Sequence, residues 1–354
     1  MILVCGEVLV DLIRVAGDEA DQLAFRAVAG GSPANVAVAL ARLGRRTALA
    51  TRLGCDSLGQ TALAHLRRNR VDDAYICHSE EPTTLAMVDA CKSGDPRYVF
   101  YLADTSAWSW RETDLPGKLP LGVEAVHVGS FLLIAPSAKR PVDRLFRAVS
   151  NRVTLSFDPN VRRELITDLE SYRARIEEAV ARSDIVRASE EDLDTLYPHR
   201  GWESVAASLR SLGPRLVVVS RGKKAPVALV GDDVLVGPTY PSDVVDTVGG
   251  GDTFTAGLLA SLSAAGVLGN RLAGVTPDHV AGALELAACA AAIACGRLRQ
   301  IPPHSLRSLI GDQQEQRRRA RPWRHSNSKN NDRERERSNY ADREYHRWDP
   351  CLPP

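Results

Sequence analysis

Short apolar segments alternate with helical patterns along most of the chain, and this alternation limits the fold more than any other feature. A strand-like run precedes a helix-like run in "TALATRLG" and "GQTALAHLRRN", "EAVHVGSFLL" and "AKRPVDRLFRAVSN", "VTLSFDPN" and "DLESYRARIEEAVARS", and "DIVRAS" and "EEDLDTLY". Strands alternating with helices predict an open, mostly parallel sheet with helices on both faces. The expected fold class is therefore α/β.

The N-terminal third contains both this pattern and two exceptions to it. "ILVCGEVLVDLI" is a continuous apolar run, typical of one strand buried on both faces of a parallel sheet. A helix follows, for which Ser32 is the predicted N-cap and Pro33 the first helical position. Segments 12–30 and 83–104 have β-type residues around turns and no helix between their halves. They predict a small antiparallel lobe inserted into the main domain.

Composition excludes several classes of function. The formal net charge of +1 gives no argument for binding nucleic acid or an anionic membrane. The seven cysteines show no CxxC pair and no zinc-site spacing, so we expect reduced thiols. The N-terminus lacks the basic region of a signal peptide, and no run reaches the 18 apolar residues of a membrane span. We expect a cytoplasmic protein.

Composition changes abruptly near residue 311. Residues 311–354 are rich in charged side chains and almost devoid of aliphatic ones, so they are expected to be disordered. The predicted organisation is a folded domain over 1–310 and a charged tail over 311–354. An RNA-binding or partner-binding arm is the functional alternative to a solvated extension.

The chain places three glycines and an aspartate at one junction, in "VVDTVGGGDTFTAGLLASL" at residues 244–262. The segment before the glycines is β-rich and the segment after them has helical spacing, so Gly249–Gly251 are predicted at a helix N-terminus. Free backbone N–H groups and the positive end of the helix dipole make such a position a site for an oxyanion or phosphate.

Asp252, directly after the glycines, would repel a phosphate and so suits a general base that holds an acceptor hydroxyl. The alternative is that Asp252 caps the helix and the glycines turn the chain. The segment is not a Walker A loop, because Asp252 and Thr253 stand where Lys and Ser or Thr would be needed. No GxGxxG follows the first strand, which argues against a dinucleotide-binding fold.

Two longer motifs resemble the signatures of the PfkB, or ribokinase-like, carbohydrate kinases. They are "GGSPANVAVALARLG" at 30–44 and "DTVGGGDTFTAG" at 246–257. The resemblance extends over residues 1 to about 300 and is closest to the bacterial fructokinases of that family. It implies a ribokinase-like fold, with a mostly parallel central sheet, helices on both faces, and a β-sheet lid formed by segments 12–30 and 83–104.

The resemblance assigns roles to individual residues. Asp252 would be the base, and the N–H groups of Gly249, Gly250 and Gly251 would form the anion hole, with Gly250 standing where the family usually has Ala. Sugar-binding positions implied by the resemblance are Asp11, Gly30, Gly31, Asn35, Arg97, Tyr101 and Arg162.

The resemblance also implies ATP and Mg²⁺ as cofactors. The implied nucleotide-binding positions are Ser189, Ser220, Gly222, Ala287 and Ala291. Asp192 would act on Mg²⁺ through water, and Asp246 would help to hold a monovalent cation such as K⁺.

The activity implied is transfer of the ATP γ-phosphoryl group to the primary hydroxyl of fructose, giving fructose 6-phosphate. Ribose, 2-keto-3-deoxygluconate or a nucleoside is the alternative acceptor. A catalytically impaired, sugar-binding homologue is the alternative from a different class. A homodimer formed through the lids is also implied, and nucleic acid is not expected as a partner.

Overall fold

The computed structural model describes residues 1–15, 23–89, 97–149, 151–241 and 248–296, apart from the side chains of Asp89 and Arg97. The chain divides into two units, Met1–Asp312 and Gln313–Pro354. The second unit, and with it the predicted tail, lies outside the described residues. Its predicted disorder stays a prediction.

The described strands fall into two sheets. Their bounds are β1 Ile2–Cys5, β2 Leu9–Val15, β3 Ala24–Gly30, β4 Thr47–Gly54, β5 Ile76–Ser79, β6 Leu85–Asp89, β7 Arg97–Tyr101, β8 Ala125–Gly129, β9 Thr154–Asp158, β10 Ile185–Ser189, β11 Leu216–Arg221, β12 Lys224–Val230 and β13 Asp233–Val236. The larger sheet has nine strands in the order β13-β12-β11-β10-β9-β8-β1-β4-β5. Its strands pair in parallel except for β11 with β12 and β12 with β13. The predicted mostly parallel sheet is confirmed.

Helices cover both faces of this sheet, as predicted. Their bounds are α1 Ser32–Arg42, α2 Ser57–Arg68, α3 Lys139–Ala148, α4 Leu169–Arg182, α5 Glu190–Leu196, α6 Trp202–Ser211, α7 Gly250–Ala264 and α8 Pro277–Cys295. Ile2 and Val4 of β1 pack in one core with α1, α2, α7 and α8. Leu3 and Cys5 point the other way and pack with α3, α4, α5 and α6. Alternation along a strand buried on both faces explains the continuous apolar sequence.

The prediction of one strand over residues 2–13 is wrong, because the chain leaves the large sheet after Cys5. Gly6 has a φ of +152°, and a Cβ at this position would overlap the Pro33 ring. The chain resumes as β2, which belongs to the smaller sheet. Asp11 is therefore the third residue of a second strand instead of the end of the first. Hydrophobicity alone cannot reveal such a break, since both strands are apolar.

The smaller sheet, which we call the lid sheet, has the strand order β3-β2-β6-β7. The β2–β3 and β6–β7 pairs are antiparallel hairpins, whereas β2 and β6 pair in parallel. The small separate sheet is confirmed, but the predicted wholly antiparallel arrangement is wrong. β2 and β6 are the inner strands of the lid sheet, and the long segment between them allows the chain to return to the same end of the sheet, as parallel pairing requires.

Helices α7 and α8 pack against each other through small side chains. A Cβ on Gly257 would lie 2.7 Å from the Cα of Ala287, so the two backbones approach closely. Among the described residues, α8 is the one helix long and apolar enough to cross a membrane. Leu284 and Ala287 on it are fully buried in the core with α7, as in a core helix of a globular domain.

Candidate active site

The glycine triplet lies at the N-terminus of α7, as predicted. Gly249 is the N-cap residue with a left-handed φ of +78°, and the helix begins at Gly250. The first intrahelical hydrogen bond runs from the Thr253 N–H to the Gly249 carbonyl, 2.9 Å away. The N–H groups of Gly250, Gly251 and Asp252 therefore have no carbonyl partner within the helix. They point out of its positive end, where an anion is stabilised.

Asp252, in the first turn of α7, is buried with only 8% of its surface exposed. Ser32 Oγ donates to its Oδ1 at 2.6 Å, and Asn35 Nδ2 donates to its Oδ2 at 2.8 Å. Burial raises the pKa of Asp252, while these two hydrogen bonds and the charge of Arg162 act to lower it. Both carboxylate oxygens are thus held in a fixed orientation beside the free N–H groups.

Ser32 has a different role from the predicted one. The N-cap of α1 is Gly31, with a φ of +102° and no side-chain cap, and Ser32 is the first helical residue. Its hydroxyl points at Asp252, and Asn35 lies three residues later on the same helix face. Ser32 is a site residue that the sequence prediction missed. The spacing of Ser and Asn within "GGSPAN" is the signal that could have identified it.

The predicted sugar-binding residues Asp11, Gly30 and Gly31 meet where the lid sheet joins α1. Asp11 is buried, and a Cβ on Gly30 would overlap its carboxylate. A Cβ on Gly31 would lie 2.7 Å from the carbonyl oxygen of Glu7. The buried Glu7 carboxylate accepts from the Ser32 and Phe131 N–H groups, both at 3.3 Å. Absence of side chains at 30 and 31 is what allows this convergence.

Strand register separates the lid residues that were predicted together. Asp11 pairs with Ala86, which pairs with Phe100, so these three share one face of the lid sheet. Phe100 also packs edge-on against Phe131, with ring centroids 5.4 Å apart. Tyr101 lies on the opposite face and is 53% exposed, so the structure does not bring it to Asp11. Arg97 begins β7, and its side chain lies outside the described residues.

Arg162 lies within electrostatic reach of the site without a hydrogen bond to it. Its guanidinium donates to the Asn160 side-chain oxygen at 2.6 Å and folds back on the local carbonyls. Its charge opposes, without cancelling, the rise in the pKa values of Asp252 and Glu7 that burial causes. This effect on Asp252 agrees with the predicted position of Arg162 in the sugar-binding site.

Ser189 and Asp192 form a capping box at the start of α5. The Ser189 hydroxyl accepts from the Asp192 N–H at 2.9 Å, and Asp192 Oδ2 accepts from the Ser189 N–H at 2.8 Å. Asp192 Oδ1 accepts from the Val161 N–H at 2.7 Å, which ties α5 to the loop after β9. Ser189 and Asp192, predicted to bind nucleotide and metal, thus also make hydrogen bonds that stabilise the start of α5.

The predicted nucleotide loop is the turn between β11 and β12. Gly222 has a φ of +58°, and nothing lies within 4 Å of where its Cβ would be. Ser220 is buried, and its hydroxyl accepts from Arg187 Nη2 in the interior. The space around Gly222 is therefore open to a ligand, whereas the Ser220 side chain points into the protein interior.

The structure does not bring the predicted nucleotide-binding residue Ala287 to the surface. This residue is fully buried against Gly257 of α7, where helix packing requires a small side chain. Ala291, one turn later, is half-buried beside the same core. Cys295 continues the stripe, and a Cβ on Gly250 would lie 2.8 Å from its sulfur. The close approach of α7 and α8 is enough to explain the small residues along α8, and no ligand is needed to account for them.

Two buried charges beneath α7 were not predicted. Asp158, at the end of β9, and Arg187, within β10, form an ion pair with an N–O distance of 3.0 Å. A charged residue inside the buried strand "DIVRAS" is the signal that could have found Arg187. Asp246 lies outside the described residues. No group of three or more His, Cys, Asp or Glu side chains among the described residues could hold a metal.

An open α/β domain that presents a helix N-terminus beside a buried carboxylate, without a Walker A loop, is suited to move a phosphoryl group onto a hydroxyl. This defines the class as a small-molecule kinase. The model of the pfkB family carbohydrate kinases matches residues 1–304, and the chain belongs to this family. It is a phosphotransferase that acts on a sugar hydroxyl.

Individual relatives agree with this assignment. The chain is 37% identical to a fructokinase of Rhizobium leguminosarum bv. trifolii over 272 residues, covering 77% of this chain and 82% of the relative. It is 32% identical to a fructokinase of Klebsiella pneumoniae over 256 residues, with coverages of 70% and 81%.

Solved structures confirm the ribokinase-like fold. The fructokinase from Xylella fastidiosa with bound ATP superposes with a TM-score of 0.76 at 25% identity, covering 88% of this chain and 98% of that one. The fructokinase from Vibrio cholerae O395 in its fructose, ADP and calcium ion bound form gives a TM-score of 0.74 at 26% identity, with coverages of 88% and 97%.

Proposed function

We propose that the protein is an ATP-dependent fructokinase that makes fructose 6-phosphate. The observation that carries this proposal is the Asp252 carboxylate, held by Ser32 and Asn35 beside the free N–H groups of α7. The fructokinase relatives support fructose as the acceptor.

In the proposed reaction, Asp252 accepts the proton of the primary hydroxyl as its oxygen attacks the γ-phosphorus in line. A new O–P bond forms, the bond between the γ-phosphorus and the β,γ-bridging oxygen breaks, and ADP leaves. The N–H groups of Gly249, Gly250 and Gly251 stabilise the charge on the transferred phosphoryl group. Burial of Asp252 keeps water away from this step.

Sugar hydroxyls would bind to Asp11 and Asn35, because a carboxylate accepts from hydroxyls and an amide both donates and accepts. Gly30 and Gly31 let the sugar approach the backbone where the lid sheet joins α1. Arg162 would complete the site by adding positive charge near the acceptor. Phe100, on the same face of the lid sheet as Asp11, would cover the sugar's apolar side.

ATP would lie beyond the α7 N-terminus, with the open turn at Gly222 against it and Ala291 at the edge of its site. Mg²⁺ would be bound mainly by phosphate oxygens and water, as is usual for this ion, and would neutralise phosphate charge. Asp192 fits a water-mediated contact, since its Oδ1 accepts from Val161 and keeps a further lone pair.

The decisive experiment is an ADP-release assay with ATP and a panel of fructose, ribose, 2-keto-3-deoxygluconate and nucleosides. We expect turnover with fructose and a loss of about 10³-fold or more in kcat for Asp252→Asn. Glu203→Gln is the matched control, because Glu203 is an exposed carboxylate in the first turn of α6.

Turnover with another acceptor would keep the kinase and replace the sugar. Sugar binding without turnover would identify an impaired homologue and refute the proposal.

We further infer a soluble cytoplasmic enzyme that forms homodimers through the lid sheet. The face opposite Asp11 carries Phe25, Val99 and Tyr101, all exposed, and burial of such an apolar patch is a reason to pair. Light scattering on purified protein tests this, since a monomer at micromolar concentration would contradict it.

A further inference from the structure

Arg187 is a buried cation that has no role in the phosphoryl-transfer mechanism proposed above. It is the third residue of β10 and is only 5% exposed. Nη1 donates to Asp158 Oδ2 at 3.0 Å, and Nη2 donates to the Ser220 hydroxyl. The guanidinium also lies over the Phe254 ring, 5.7 Å from its centroid. It thus joins β9, β10 and β11 to α7.

The guanidinium lies directly beneath the first turn of α7. A Cβ on Gly251 would be 3.2 Å from both Nη1 and Nη2, so a side chain there would press on the charged group. Thr255, one turn later in α7, donates to the same Asp158 oxygen at 3.0 Å. The buried ion pair of Asp158 and Arg187 therefore connects β9 and β10 of the large sheet to α7, the helix that presents the anion-binding N–H groups.

Stability alone does not explain why the Asp158–Arg187 ion pair is buried here. A buried ion pair is costly to desolvate, and well-packed apolar residues are often equally stabilising. Burial acts to lower the pKa of Arg187, but the carboxylates of Asp158, Asp192 and Asp252 outweigh it, and the pKa is raised. The group is therefore a permanent positive charge, held in a low-dielectric interior beside the anion site.

We propose that Arg187 is a positioning residue for phosphoryl transfer, which places the positive end of a buried ion pair behind the α7 N-terminus and holds its first turn in place. This inference rests on the proposed role of that N-terminus as the anion hole. A charge fixed before the reaction needs no reorganisation as negative charge shifts on the transferred group. The effect is specific to the transition state and leaves sugar binding unchanged.

The test separates this role from a merely structural ion pair. Arg187→Met leaves the Asp158 carboxylate without its cation, whereas Asp158→Asn combined with Arg187→Met removes both charges. We expect the double variant to recover most of the melting temperature lost in Arg187→Met. Its kcat stays about 10- to 100-fold below the wild type, less than for loss of a direct oxyanion donor, with KM for fructose within about twofold.

Arg187→Lys keeps the charge and is expected to retain more kcat than Arg187→Met. Arg52→Met is the matched control, because Arg52 is an equally buried arginine paired with Glu81 and Asp114. It should lose stability but keep kcat. A double variant with wild-type kcat would overturn the proposal.

A second readout does not depend on the sugar. Stabilisation by ADP with aluminium fluoride, relative to ADP alone, should be smaller in the double variant than in the wild type and in Arg52→Met. Equal stabilisation in all three proteins would overturn the role of Arg187. Absence of fructose turnover in the wild type would refute the fructose assignment alone, because the aluminium fluoride comparison still tests Arg187.

Discussion

Removal of the Ser32 hydroxyl should raise the pH at which the enzyme becomes active. Ser32 Oγ donates to Asp252 Oδ1 at 2.6 Å, and this bond favours the ionised carboxylate. A hydrogen bond to a charged group contributes about 1.5–3 kcal/mol, and 1.36 kcal/mol corresponds to about one pKa unit. Ser32→Ala should therefore raise the pKa of Asp252 by about 1–2 units, on top of the rise caused by burial.

The assay is the pH dependence of kcat/KM for the sugar, which reports the base in the free enzyme. In the proposed mechanism Asp252 must be ionised to act, so activity should be lost as the pH falls through its pKa. The acid limb of Ser32→Ala should lie about 1–2 pH units above that of the wild type. Ser204→Ala, an exposed serine on α6, is the matched control. An acid limb that does not move in Ser32→Ala would refute this reasoning.

Two further predictions concern stability. Burial raises the pKa of the Glu7 carboxyl group from 4.5 to about 7. Its contribution to the free energy of unfolding is therefore fully present below about pH 4.5 and is lost as the pH rises through 7. Urea unfolding between pH 5 and 8 should show a decline in the wild type that is smaller in Glu7→Gln. Gly257→Ala should cost about 1–3 kcal/mol, because the new Cβ would press on the α8 backbone. Gly274→Ala, whose Cβ would meet nothing within 4 Å, should lie within about 0.5 kcal/mol of the wild type in the same assay.

Local patterns predicted much of the fold because they act within a few residues. The β4 strand covers "TALATRLG" over Thr47–Gly54, as its apolar, β-rich composition indicates. The start of α7 follows from three glycines before a helix-forming segment. Asp252 and the glycines were predicted together for the same reason, since they are adjacent in sequence.

The differences between prediction and structure share one physical cause, which is packing between parts of the chain that the sequence separates. A side chain at Gly6, where the chain leaves the large sheet, would overlap the Pro33 ring, and Ala287 is buried because Gly257 lies against it. Tyr101 lies on the face of the lid sheet opposite Asp11 because strand pairing, not residue type, sets which side chains share a surface.

The sequence by itself determined the alternating α/β architecture, the helix N-terminus with its glycines, and the identity of the candidate base. Those features depend on periodicity, on the backbone freedom of glycine and on unpaired N–H groups, all of which are local. Only the tertiary structure decided which groups hold the Asp252 carboxylate, because Ser32 and Asp252 are 220 residues apart. It also decided that Asp158 and Arg187 meet beneath α7, since that contact requires β9, β10 and the helix to pack together first.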